Sequence, residues 1–248
     1  MHLGGVGMST ICVIGCGWLG LPIAAELAER GFTVIGTTTS EDRIPEIRSH
    51  GIHPRIYRIG DPNPPSASIY VINVPPSKTG HYLESMTRTA EALDPKSNVL
   101  FISTTSVYTG RPDIFPESLV VPGRPDPEDK HRTSKHSSIP ISDLILAEGL
   151  FWDVKRKRHS ILRCGGLVGP GREAGRFMAG RTNVPDPEGP ANISPLDEVT
   201  ETVIMMILLG EWGKVANAVK KDRPTRREYY TKAALDLGLT PPEFAEEG

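Results

Sequence analysis

Thr10-Ile-Cys-Val-Ile-Gly-Cys-Gly-Trp-Leu-Gly20 is the stretch that decides the fold. Its first five residues are a short apolar run ending at Gly15, and beyond them Leu19, Ile23 and Leu27 share one helical face until Gly31. The order is strand, turn, helix. Residues 15–20 spell G-x-G-x-x-G between the two, the setting in which that pattern has a mechanism. Gly15 permits the tight turn, Gly17 lets a pyrophosphate approach the backbone, and Gly20 lets the helix lie close to the strand, while free amides at the helix start attract phosphate charge. Gly15, Gly17, Trp18, Leu19 and Gly20 are therefore expected to hold a dinucleotide. The competing reading is a glycine-rich turn with no ligand.

Outward from this turn, β-branched runs alternate with helical periods. Strands are expected at Phe32–Gly36, Arg55–Ile59, Ser68–Val74, Asn98–Ser103, Ser160–Arg163 and Lys214–Val219. Helices are expected at Ile44–His50, Tyr82–Leu93, Ser142–Lys155, Asp197–Leu209 and Thr225–Leu237, the last opened by the capping box Thr225-Arg-Arg-Glu228 and closed by Gly238. Alternation of this kind predicts an α/β fold, a Rossmann-type parallel sheet with helices on both faces. Six prolines fall between Pro112 and Pro140, and Gly165–Pro195 is rich in Gly and Pro, so both stretches are expected to be irregular. No repeat or linker divides the chain, which reads as a single domain over residues 9–248. Residues 1–8 are expected to be a disordered arm or an artefact of the start site.

A chain of 248 residues can bury a sizeable core without disulfides or metals. Its 28 Lys and Arg against 30 Asp and Glu leave a formal charge of -2, which supplies no global field for nucleic acid or an anionic membrane. The basic cluster Lys155–His159 closes an expected helix and complements its dipole. Cys12, Cys16 and Cys164 are an odd number without metal-ligand spacing, which fits a reducing compartment. Val203–Leu209 is too short to span a bilayer, and the opening residues lack the features of a signal peptide. The expectation is a cytoplasmic protein with a small-molecule substrate, no nucleic-acid or membrane partner and no metal, for which a homodimer stays open.

The tip of the second strand is where a carboxylate would hold the adenosine ribose of NAD. It reads Thr37-Thr38-Thr39-Ser40, with Arg43 close behind. Hydroxyls and a guanidinium suit a 2'-phosphate, so Thr39, Ser40 and Arg43 predict NADP(H) over NAD(H). In the alternative, Glu41 or Asp42 takes the ribose and the cofactor is NAD; Arg43 is then a solvated charge.

Four segments carry a family resemblance: Val13-Ile-Gly-Cys-Gly-Trp-Leu-Gly20, Val74-Pro-Pro76, Ile102-Ser-Thr-Thr-Ser-Val-Tyr108 and Leu162-Arg-Cys-Gly-Gly-Leu-Val-Gly-Pro-Gly-Arg172. Together with Asp222–Tyr230 they resemble the extended short-chain dehydrogenase/reductases, most closely an atypical, YeeZ-like NAD(P)-binding branch. The resemblance covers roughly residues 10–244. It implies a substrate lobe built from about 110–141 and 164–248, and adds Pro75 to the cofactor-binding residues. It also implies that Thr104 orients the substrate oxygen, with a Tyr as general acid/base and a Lys four residues on that lowers the Tyr pKa.

The chain departs from that pattern. The nearest match to Tyr-x-x-x-Lys is His131-Arg-Thr-Ser-Lys135, in which an imidazole could pass the proton. Alternatively neither group is present and the site is degenerate. Tyr108 is a further candidate donor, or packing at the cleft mouth. Arg163, Arg172 and Arg176 could clamp an anionic substrate or form ion pairs. Asn192 resembles the family's lobe-closing loop, and Cys164 has no base near it in sequence. The expected activity is an NAD(P)-dependent oxidoreductase or epimerase/dehydratase-like enzyme acting on a carbonyl or carbinol. The alternative is a dinucleotide-binding sensor or scaffold without catalysis.

Overall fold

In a computed structural model of the chain, the described residues are 9–76, 81–108, 122–124, 129, 132–133, 139–152 and 158–246. The elements are β1 (Thr10–Ile14), α1 (Gly20–Glu29), β2 (Thr33–Thr38), α2 (Ile44–Ser49), β3 (His53–Ile56), β4 (Ile69–Ile72), α3 (Tyr82–Ala92), β5 (Asn98–Thr104), α4 (Ile141–Leu150) and β6 (His159–Cys164). They continue with β7 (Gly166–Val168), α5 (Ala174–Met178), β8 (Ile193–Pro195), α6 (Leu196–Leu208), β9 (Val215–Ala218) and α7 (Arg226–Leu235). The chain divides into two compact units, Met1–Arg163 with Thr200–Asn217, and Cys164–Val199 with Ala218–Gly248.

A seven-stranded sheet runs in the order β3-β2-β1-β4-β5-β6-β9. β1 pairs in parallel with β2, Ile11 opposite Val34, and with β4, Ile14 opposite Ile72. The pairs β2–β3 and β4–β5 are parallel as well. The fold is the expected Rossmann-like α/β sheet, and its strand order reverses at β1/β4. That reversal opens a crevice at the carboxyl ends of the two strands.

β1 reads as an unbroken apolar run because both of its faces are covered. Cys12 and Ile14 join Tyr70, Ile72, Val99 and Phe101 in one buried cluster, closed by Tyr82 and Met86 of α3 and by Ile141, Leu144 and Ile145 of α4. Phe101 stacks on Phe151, ring centroids 5.0 Å apart. Ile11 and Val13 alternate to the opposite face, and α1, which packs on β1 and β2, carries its own buried stripe of Ile23, Ala24 and Leu27.

Three expectations change. β3 begins at His53 rather than Arg55; it is an edge strand, where Pro54 costs no interior ladder bond, and Tyr57 and Ile59 are buried beyond its end. α4 ends at Leu150, while residues 153–157 lie outside the description. Gly165–Pro195 is not wholly irregular. It holds the parallel pair β7–β8 and the short α5, elements too brief to show a period. Gly175 of α5 packs so close to α7 that a Cβ would collide with the Ala233 carbonyl. At the start of α7 the capping box is present: Glu228 N–H donates to Thr225 Oγ1 at 3.1 Å and Thr225 N–H to Glu228 Oε2 at 2.9 Å. Among the described residues no helix is long and apolar enough to cross a membrane.

Candidate functional site

The G-x-G-x-x-G turn sits at the carboxyl end of β1, beside the β1/β4 reversal. Gly15 has φ +97°, and a Cβ there would collide with the Asn73 carbonyl oxygen. Gly20 opens α1 so near the turn that a Cβ would strike the Gly15 carbonyl. Gly17 differs from both: it is exposed, and a Cβ would meet no atom within 4 Å. The turn is braced from two strands. Thr37 of β2 accepts the Gly15 N–H on Oγ1 at 3.0 Å and the Cys16 N–H on its carbonyl at 2.8 Å. Asn73, just past β4, donates from Nδ2 to the Gly15 carbonyl at 3.2 Å.

α1 starts with no side-chain cap at Leu19 and no acidic residue in its first turn. The first turn of α1 thus brings no carboxylate of its own to the helix start, where an anionic partner is favoured. Open space over Gly17 beside that helix start is what a pyrophosphate needs, and the residues present fit a dinucleotide. Trp18 is half-buried and Leu19 buried behind the turn; Pro75, just beyond Asn73, is exposed.

The tip of β2 separates the four hydroxyl residues. Thr37 is 1% exposed and occupied by the turn, so it does not face a ribose. The Ser40 N–H donates to Thr38 Oγ1 at 3.1 Å, which folds the chain back; Thr39 is exposed and Ser40 half-exposed. Glu41 and Asp42 are exposed. Arg43 lies across the phosphate-binding turn, where Nη2 donates to the Cys16 carbonyl at 3.3 Å.

Thr104 ends β5, half-exposed, and its hydroxyl donates to Ser106 Oγ at 3.1 Å while accepting the Ser106 N–H at 3.1 Å. His131 and Lys135 lie outside the described residues. α4 carries no Tyr or Lys along its length.

Arg163 is not a substrate clamp. It is buried and grips Glu148 of α4 through two bonds, Nε to Oε1 at 2.8 Å and Nη2 to Oε2 at 2.6 Å. Its Nη1 donates to the Tyr108 hydroxyl at 2.7 Å, Tyr108 donates to Asn217 Oδ1 at 3.2 Å, and Ser103 donates to Glu148 Oε1 at 2.7 Å. Burial would push the guanidinium down, but Glu148 and then Tyr108 outweigh it and hold Arg163 above its ordinary value. The Tyr108 hydroxyl is therefore engaged on both sides. Arg176 pairs with Glu173 at 3.4 Å, Arg172 is exposed, and Asn192 Oδ1 accepts from Arg223 Nη1 at 3.4 Å.

Cys16 and Cys164 are buried, which pushes both thiols up to about 12 and disfavours the thiolate that a nucleophile needs. At Cys16 the Thr37 backbone and Arg43 pull the other way without prevailing. Among the described residues no His, Cys, Asp or Glu cluster could hold a metal. Thr37 as a strut, Asn73 and Glu148 were not anticipated from the sequence. For Glu148 a signal was there: a lone carboxylate among Leu144, Ile145 and Ala147 on a buried helix face demands a buried partner.

Residues 9–57 match the model of the UDP-glucose/GDP-mannose dehydrogenase family, NAD-binding domain. Over 255 residues the chain is 29% identical to Protein YeeZ of Escherichia coli (strain K12), spanning 96% of this chain and 87% of that protein. The dTDP-glucose 4,6-dehydratase of Bacillus anthracis str. Ames, solved in complex with NAD, superposes with a TM-score of 0.66 at 14% identity, covering 97% of this chain and 85% of that one. The UDP-N-acetylglucosamine 4-epimerase of Bacillus cereus does so with a TM-score of 0.64 at 15% identity, covering 96% and 87%. At such identities the structural likeness is one of fold.

Proposed function

Because the chain is a homologue of YeeZ on the fold of the extended short-chain dehydrogenase/reductases, we propose that it is an NAD(P)-dependent enzyme acting on a carbonyl or carbinol substrate. Its chemistry is that of an oxidoreductase or of an epimerase/dehydratase-like enzyme. The observation that carries this is the Gly15–Gly20 turn at the β1/β4 reversal, open over Gly17 and braced by Thr37 and Asn73. The dinucleotide, when bound, supplies hydride transfer at the reacting carbon. The turn's backbone from Gly17 to Gly20 holds the pyrophosphate, and the Thr104 hydroxyl at the end of β5 orients the substrate oxygen. His131 with Lys135 moves the proton.

NADP(H) is preferred over NAD(H) in this reading, through Thr39, Ser40 and Arg43. One charge-assisted contact to a 2'-phosphate is worth on the order of 1.5–3 kcal/mol, a preference of roughly tenfold or more.

A second reading is favoured by a specific observation. α4 presents no Tyr–Lys pair, and Tyr108 and Arg163 are committed to each other. This is what a dinucleotide-binding sensor or scaffold without catalysis would show. Both readings require the turn to bind. Calorimetry with NADPH and NADH tests it: the wild type binds, and Gly17→Val, which fills the open space, lowers affinity about a hundredfold or more without lowering the melting temperature. Undiminished binding in a folded Gly17→Val protein overturns both.

A further inference from the structure

The guanidinium available to read a 2'-phosphate is already shared. Arg43 donates from Nη2 to the Cys16 carbonyl inside the phosphate-binding turn, 3.3 Å away. Its Nε lies 2.6 Å from Glu46 Oε2, and both side chains are partly exposed, at 39% and 50%. This second contact is one of charge alone, because Nε is buried and its N–H has no acceptor in line. Arg43 closes the short helical turn Glu41–Arg43 and Glu46 stands in the first turn of α2, so an i,i+3 spacing puts both on one face. Two more carboxylates, Glu41 and Asp42, precede Arg43. An arginine held between a carbonyl and a carboxylate is oriented, and it is also partly neutralised.

A 2'-phosphate brought to Arg43 must approach Glu46 as well, and a carboxylate opposes a dianion. The 2'-hydroxyl of NAD is uncharged and meets no such opposition. We propose that Glu46 is a specificity-determining residue that competes with the 2'-phosphate for Arg43 and so holds down the preference for NADP(H). Its role presupposes the dinucleotide reading of the turn.

The test is calorimetric affinity for NADPH and NADH, with a melting curve for each variant. An exposed pair of this spacing adds little to stability, so the variants fold. Glu46→Gln is expected to tighten NADPH about three- to tenfold, more at low salt than at high, and to move NADH by less than about twofold. Competition needs the arginine. In an Arg43→Gln background the gain from Glu46→Gln is therefore expected to fall to less than half.

Unchanged or weaker NADPH binding in Glu46→Gln overturns the proposal, as does an equal gain for NADH. A gain that persists in full without Arg43 does so too. If the wild type binds neither dinucleotide, the reading of the turn falls and Glu46 with it; if it binds both and only the ratio fails to move, Glu46 falls alone.

Discussion

Thr37 does two jobs at one position. Its hydroxyl and its carbonyl between them take the amides of Gly15 and Cys16, which fixes the turn's shape before any ligand arrives. Thr37→Val keeps the volume and leaves the Gly15 N–H without its partner, at a cost of about 1–3 kcal/mol. The expected outcome is a lower melting temperature and weaker binding of NADPH and NADH by the same factor, with their ratio unchanged. Thr37→Ser keeps the hydroxyl and recovers most of both losses. A changed ratio in Thr37→Val would place its hydroxyl at the ribose after all. Gly15 and Gly20 were legible in the sequence because a tight turn and a close helix start tolerate little else, and Gly17 because a pyrophosphate needs the space that a side chain would fill. Thr37 was not, since a hydroxyl at a strand tip reads the same whether it points at a ligand or into the fold.

Between elements, the Glu148–Arg163 pair ties α4 to β6, and Ser103 brings β5 to the same carboxylate. Removing one partner leaves the other buried and unpaired, so Glu148→Ala is expected to cost about 3–5 kcal/mol in a urea unfolding curve. Replacing both, as Glu148→Leu with Arg163→Met, is expected to lie much nearer wild type, because burying two charges costs about what their attraction returns. Equal losses in the single and the double variant would mean that packing rather than charge sets the cost. The strands and helices of the sheet were legible from their periods and caps; Thr225-Arg-Arg-Glu228 is the clearest instance, with both reciprocal bonds in place. Three-residue strands such as β7 and β8 leave no period to read. The buried pair was half legible. Arg163 could be noticed, but its partner is 15 residues away in sequence, and only the fold brings them together.

For the molecule as a whole, a net charge of -2 gives no long-range pull on an anionic cofactor, so affinity has to come from local contacts at the turn, its helix start and the tip of β2. Catalysis is where the two functional readings part. If His131 stands in for the tyrosine, turnover of a carbonyl or carbinol substrate needs His131 and Lys135 together and depends on pH through an imidazole ionisation. Thr104→Val tests the other half of the site, because it keeps the shape and removes the hydroxyl that would polarise the substrate oxygen. Screening sugar-nucleotide and small-ketone substrates with NADPH, the expected outcome is slow, narrow turnover that falls about a hundredfold or more in His131→Phe and in Thr104→Val, with NADPH affinity unchanged in both. Full turnover in both variants would remove these residues from the chemistry and leave cofactor binding standing. Binding without turnover on any substrate of that screen would favour the sensor reading. The pH profile separates the cases even at low rates, since a site served by an imidazole loses its rate across the imidazole range and a site without one does not.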